Sequence, residues 1–258
     1  MVDSFFLSWK RRSGKCWRQG RGRDGSWEEK GDDRALGFFE LADIADWDYV
    51  VNLSANDYTL RSPKFVYKYL QTTNPKKLWI NFLKETREEK LKRLESPYLM
   101  LPNKSGLKEE KFDIFLKPKR NFFLKNDFFP VKHSQWMILT KEFIDFIRTD
   151  QKVLLFLAWT EHTWVSDEFF FGMVALYSHP DKIINDNKRF INFKDKTEKH
   201  PIWLNYNTSS LFLKKTTNFT KDNNQNNFFW FRKVKISQDI DLKNAVDLER
   251  NLADLSLT

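Results

Sequence analysis

Two neighbouring carboxylates, Asp167 and Glu168, stand at the head of the apolar run Phe169-Phe170-Phe171-Gly172-Met173-Val174-Ala175-Leu176-Tyr177. A carboxylate at the mouth of a buried aromatic helix can act as a general base near neutral pH. Partial desolvation raises its pKa, and the scaffold fixes its position. The same residues also suit an ordinary helix start, with Ser166 as N-cap and acidic side chains favoured in the first turn by the helix dipole. Two other polar segments adjoin buried strands. Asn52-Leu53-Ser54-Ala55-Asn56-Asp57-Tyr58 closes a β-rich run over residues 47–53, and His133-Ser134-Gln135-Trp136 precedes a strand at Met137. Ligands gather at strand carboxyl ends in open α/β sheets, so Ser54, Asp57, Ser134, Gln135, Trp136 and Asp167 are candidate cleft residues around Glu168. A plain strand-to-helix turn would favour Asn, Ser and Asp as well.

The elements that must hold these residues follow from hydrophobic period and capping signals. Ser62-Pro63 reads as N-cap and first-turn proline of a helix burying Phe65, Val66, Tyr69 and Leu70. Residues 77–83 read as a buried strand, and residues 84–95 as a charge-dense surface helix with only Leu91 and Leu94 to bury. Lysine-rich turns and short strands fill residues 96–126. Thr140 caps a helix carrying Phe143, Ile144 and Ile147, a second helix spans residues 151–159, and the acidic pair with its apolar helix comes next. Short strands are expected around Arg189-Phe190-Ile191 and Phe228-Phe229-Trp230-Phe231, then a closing helix over residues 237–255 that buries Ala245, Leu248, Leu252 and Leu255. Alternating strands and helices predict an α/β fold with a mostly parallel sheet. Residues 1–35, glycine- and arginine-rich around Arg18 to Gly25, read as a flexible basic arm.

The chain has 258 residues, and 25 Phe and 10 Trp supply core material despite a mean hydropathy of −0.63. It is long enough for one large domain or two small ones. A formal charge of +9 leaves open nucleic acid, an anionic membrane surface or a phosphorylated small molecule as partner. The lysines are scattered and no nucleic-acid motif accompanies them, which disfavours a nucleic-acid partner. Cys16 is the single cysteine, so neither an internal disulfide nor a thiolate-rich metal site can form. The longest uninterrupted apolar run, residues 153–159, is too short to span a bilayer, and no signal core follows the early basic residues Lys10, Arg11 and Arg12.

These segments carry a resemblance. Asn52-Leu53-Ser54-Ala55-Asn56-Asp57-Tyr58-Thr59-Leu60-Arg61-Ser62 resembles the N-L-S-A-x-D-Y-P-[IL]-[RK]-[TS] block of the core-2/I-branching glycosyltransferases (family 14). That family includes β-1,6-N-acetylglucosaminyltransferases and peptide O-xylosyltransferases. Ser134-Gln135-Trp136-Met137-Ile138-Leu139-Thr140-Lys141-Glu142-Phe143-Ile144 is similar to its G-S-x-W-[FM]-x-L-x-R-x-F-V block. Asp167-Glu168-Phe169-Phe170 resembles [PS]-x-E-x-[FY]-[FW], and Phe228-Phe229-Trp230-Phe231-Arg232-Lys233-Val234 resembles F-F-A-R-K-F. Thr59 stands where the family usually has proline, and His133 where it has glycine.

The resemblance implies a GT-A-like α/β domain that moves a sugar, N-acetylglucosamine or xylose, from a UDP-sugar to a protein or glycan hydroxyl with inversion. Glu168 would be the general base. Arg232 and Lys233 would neutralise the leaving diphosphate in place of a metal, so no cofactor is expected. Asp46-Trp47-Asp48 and Asp239-Ile240-Asp241 have D-x-D spacing, but the first straddles a helix–strand junction and the second opens a capped helix, so both read as structural. The expected setting is the Golgi or secretory-pathway membrane, reached through an anchor this chain lacks. Family members carry a βαβ nucleotide-binding portion ahead of the first block, which residues 1–35 do not resemble. The expected organisation is therefore an arm over 1–35 and a partial catalytic domain over 36–258. The alternative is an inactive member of the same fold that binds glycan or acts as a scaffold.

Overall fold

Hydroxyl side chains placed just ahead of apolar runs start two of the helices. The computed structural model describes residues 4–9, 16–20, 47–54, 56–73, 76–84, 94–95, 98–101, 112–115, 127–160, 163, 166–193, 201–207, 209 and 228–255. In chain order the strands are β1 (Ser4–Trp9), β2 (Cys16–Gly20), β3 (Tyr49–Ser54), β4 (Asp57–Thr59), β5 (Leu78–Leu83), β6 (Tyr98–Leu101), β7 (Phe112–Phe115), β8 (Lys132–Thr140), β9 (Ile183–Ile184), β10 (Arg189–Ile191) and β11 (Trp230–Arg232). The α-helices are α1 (Pro63–Gln71), α2 (Lys141–Thr149), α3 (Gln151–Thr160), α4 (Phe170–Ser178) and α5 (Ile240–Leu255). Ser62 caps α1 by accepting from the Phe65 amide, and Thr140 caps α2 by accepting from the Phe143 amide.

The chain divides into two compact units. One comprises Met1–Arg21, Val51–Lys76 and Asn187–Thr258, and the other Gly22–Val50 and Lys77–Asp186. In the first unit β11 lies between β10, parallel to it, and β4, antiparallel. Two-residue alternation sends Tyr58, Phe231 and Phe190 to one face of this sheet. There they join Leu60, Leu204, Val234 and the α5 residues Leu242 and Val246 in a buried cluster. In the second unit β5 pairs antiparallel with β8 and parallel with β9. Phe128 packs against Phe156 and Tyr177 at 4.7 and 4.8 Å, and Phe156 meets Phe170 at 5.4 Å. Residues Phe170 to Ala175 of α4 are all buried, as an apolar helix with no polar face must be.

Several expectations change. The sheets mix parallel and antiparallel pairs rather than being mostly parallel, because an apolar strand pattern records burial and says nothing of strand direction. The stretch 1–35 contains an antiparallel pair, with Phe5 opposite Gly20 and Trp9 opposite Cys16. Residues 21–35, with the expected helix through Phe38 to Ile44 and most of the helix over 84–95, lie outside the described residues. In α5 the inward face carries Leu242 and Val246, and Leu248 is 60% exposed. The helical period that follows Val246 inward reaches Glu249 and Arg250 instead. The side chains of Leu252 and Leu255 lie outside the described residues. Among the described residues no helix is long and apolar enough to cross a membrane.

Candidate functional site

Ser54, Asp57, Arg232 and Lys233 belong to the first unit, and Ser134, Gln135, Trp136, Asp167 and Glu168 to the second. Asp57 and Arg232 lie on the sheet face opposite the apolar cluster. Register places Arg232 beside Asp57 and Trp230 between Thr59 and Arg189, so all five side chains share that face. Asp57 is the hub. Its carboxylate accepts from the Ser54 amide at 2.7 Å and stands 3.4 Å from Arg232 Nη1 and 4.0 Å from Arg189 Nε. Arg232 Nη1 also donates to Ser54 Oγ, and Arg189 Nη2 donates to the Asn52 carbonyl. The Arg189 guanidinium stacks over Trp230 at 4.9 Å. The side chains are nearly sealed from water, with 0% exposure for Arg189, 1% for Asp57 and 9% for Arg232. Burial pushes the Arg189 pKa down to about 10. Asp57 opposes that shift, and the like charge of Arg232 adds to it. Two guanidiniums thus face one carboxylate at the end of β3.

Lys233 leaves this buried set. Its ammonium lies 4.5 Å from the Trp203 ring centre, with that of Lys235 at 4.7 Å, beside the bridge joining Leu204 to Val234. Lys233 is half-buried and Trp203 is 38% exposed, so the basic pair divides into one buried cation and one more accessible.

The second unit holds Glu168. Ser166–Glu168 forms a 3-10 turn closed by the Phe169 amide on the Ser166 carbonyl at 2.9 Å, and α4 begins only at Phe170. Ser166 does not cap α4: its N-cap position is Phe169, with no side-chain cap bond. The acidic pair thus stands in the 3-10 turn just ahead of the helix rather than in its first α-helical turn, where the helix dipole still favours it. Glu168 Oε2 lies 3.4 Å from Lys132 Nζ, with the two side chains 25% and 14% exposed.

Lys132 begins β8, and the neighbouring block distorts that strand. Pairing runs Ile80 with Met137 and then Phe82 with His133, so Ser134, Gln135 and Trp136 bulge opposite Asn81 alone. These residues belong to the strand rather than preceding it, and bulges commonly re-aim side chains next to sites. Ser134 Oγ accepts from the Trp136 amide at 3.3 Å, Trp136 is buried, and Ser134 and Gln135 are half-buried. His133 is fully buried, with Nδ1 2.7 Å from the Ser134 carbonyl, and Gly172 of α4 lies against its ring.

The sequence alone gives Arg189 and Lys132 no place in the site. The one trace of Arg189 is a lone cation inside the apolar run Arg189-Phe190-Ile191. Lys132 directly precedes the serine block, where it looks like one more of many surface lysines. Among the described residues no group of three or more His, Cys, Asp or Glu lies close enough to hold a metal ion. Asp239 of the second D-x-D caps α5 through the Leu242 amide and also accepts from the Tyr206 amide, both at 2.8 Å.

A family model described as "Branch: Core-2/I-Branching enzyme" matches residues 38–217. That span contains the Asn52, Ser134 and Glu168 segments and stops before Arg232. No curated protein matches the chain.

Proposed function

Because the chain belongs to the core-2/I-branching enzyme family, whose members are glycosyltransferases, we propose that it moves N-acetylglucosamine or xylose from a UDP-sugar to a protein or glycan hydroxyl, with inversion and without a metal. The observation that carries this reading is Glu168: a carboxylate about three-quarters buried, paired with Lys132 and held in a 3-10 turn that leads into α4. Buried charges in a merely structural pair need no such partial access to water, whereas a base must reach an incoming hydroxyl.

In the proposed step the acceptor oxygen attacks the anomeric carbon from the face opposite the diphosphate. The acceptor O–H proton passes to Glu168 Oε, and the bond from the anomeric carbon to the UDP oxygen breaks, its electron pair leaving on the diphosphate. Lys132 fixes the carboxylate in place through its 3.4 Å contact. By match to the family's basic pair, we assign Arg232 and Lys233 of the first unit to the charge developing on the diphosphate, with Arg232 anchored on Ser54 and Asp57.

The test is release of UDP from UDP-N-acetylglucosamine and UDP-xylose with a panel of glycan and serine-peptide acceptors. Glu168→Gln is expected to lower turnover by about 100- to 10,000-fold, the range for loss of a general base, while calorimetry shows unchanged UDP affinity. Turnover that survives in the variant would sink the assignment of Glu168. A wild-type chain that gives no heat with UDP would leave the non-catalytic glycan-binding reading in its place.

A further inference from the structure

Extended backbone sorts one edge of the first unit into an inward and an outward row. The bridge joining Leu204 to Val234 runs parallel, and both residues are buried. The Leu204 amide donates to the Lys233 carbonyl at 2.7 Å, and the Val234 amide to the Asn56 carbonyl at 3.0 Å. With Leu204 and Val234 facing the core, two-residue alternation turns their neighbours Trp203, Lys233 and Lys235 outward together. Their accessibility agrees: Trp203 and Lys235 are exposed, and Lys233 is half-buried. Both ammoniums gather on the one indole, 4.5 and 4.7 Å from its ring centre.

Two like charges drawn to one ring repel each other. The indole attracts each of them but carries no net charge, so it offsets only part of that repulsion. Among the described residues no carboxylate pairs with either lysine. Asp239, the acid next along the chain, already accepts from the Leu242 and Tyr206 amides, one on each oxygen. Each ammonium has three N–H donors to offer a ligand. What the arrangement lacks is an anion of more than one charge that touches both. A diphosphate meets that need, with two linked phosphoryl groups, one for each ammonium. Lys233 belongs to the basic pair already assigned to the donor, and Lys235 lies outside it. We propose that Trp203, Lys233 and Lys235 form one clamp for a diphosphate, in which Trp203 holds the two ammoniums side by side and Lys235 supplies the second contact. That this diphosphate is the donor's rests on the transfer reading, whereas the clamp rests on the two cations and the ring alone.

Calorimetry on the full chain with inorganic pyrophosphate, UDP and UMP tests it. UDP should bind at least about tenfold more tightly than UMP, which lacks the second phosphoryl group. Lys235→Gln should weaken pyrophosphate and UDP by about tenfold and UMP by less. Trp203→Leu keeps both charges and loses the ring, so a smaller loss of about three- to fivefold is expected. Lys64→Gln removes the same charge from an exposed position on α1 and should leave all three ligands unchanged. An unchanged melting temperature in the variants separates loss of the clamp from loss of the fold. Full pyrophosphate affinity in Lys235→Gln, an equal loss in Lys64→Gln, or no saturable heat with pyrophosphate up to about 10 mM would each overturn the clamp. Pyrophosphate held through Lys235 while UDP is indifferent to it would overturn the donor assignment. If both are held through Lys235 and no UDP is released from either UDP-sugar, the clamp stands and the transfer reading alone falls.

Discussion

Asp57 shows how a single side chain organises its surroundings. Its buried carboxylate faces Arg189 and Arg232 and receives the Ser54 amide, so it draws together two cations that would otherwise repel at the end of β3. Replacing it removes the carboxylate that both buried guanidiniums share. Asp57→Asn should therefore cost about 3–5 kcal/mol, the range for breaking a buried ion pair on one side. Ser54→Ala removes one hydrogen-bond partner of Arg232 and should cost nearer 1 kcal/mol. Urea unfolding followed by tryptophan fluorescence compares them, with Trp230 as a local reporter 4.9 Å from Arg189. Similar losses in the two variants would mean that the carboxylate is not the hub. Asn52-Leu53-Ser54 and Asn207-Thr208-Ser209 both have the N-x-[ST] spacing of a glycosylation acceptor, but the Asn52 side chain is inside the fold whereas Asn207 is exposed.

At the scale of elements, the Glu168 region depends on how closely α4 approaches β8. A Cβ built on Gly172 would lie 2.5 Å from His133 Cδ2 and 3.0 Å from Phe82 Cε1, so only glycine lets the helix seat against the bulged strand. Gly172→Ala should destabilise by about 1–3 kcal/mol, as overpacking does, despite alanine's better helix propensity. It should also lower turnover, because the 3-10 turn bearing Glu168 leads directly into this helix. His133→Ala in the same chain removes the clash, so the double variant should recover part of the stability lost by Gly172→Ala. A strictly additive double-mutant cycle would show that the two residues do not press on each other. The usual glycine of the family at position 133 fits this picture: histidine there fills space that a smaller residue would leave open.

For the molecule as a whole, folding stability should depend on pH through His179. Its ring lies edge-on to Phe143 and Phe146 at 5.6 Å, Nδ1 contacts Ser178 Oγ at 2.7 Å, and Nε2 is 4.0 Å from Glu142. Burial, then the nearby Lys182 charge, lower its pKa below the ordinary 6.5, with Glu142 opposing. Below about pH 6.5 the unfolded chain takes up a proton that the folded chain still refuses, so stability falls as pH drops through that window. Urea midpoints measured from about pH 7 to pH 5 should decline, and His179→Asn should flatten the upper part of the decline. An identical slope in the variant would assign the proton uptake to another group.

Some of this protein could be read from its residues alone. Ser62-Pro63 and Thr140 start helices because capping is chemistry between neighbours in sequence, and the apolar runs at Ile80 and Met137 become buried strands because burial follows composition. The Asn52, Ser134 and Glu168 segments lie inside the matched family span, since a family pattern is itself a sequence property. Strand direction, the bulge at Ser134 to Trp136 and the inward face of α5 came only with the tertiary structure. So did the meeting of Asp57 with Arg189, residues far apart in the chain whose contact is made by the register of three short strands. Local rules determine where an element begins and how hydrophobic it is. Which charged side chain meets which depends on pairings between distant segments, and no single stretch of sequence encodes them.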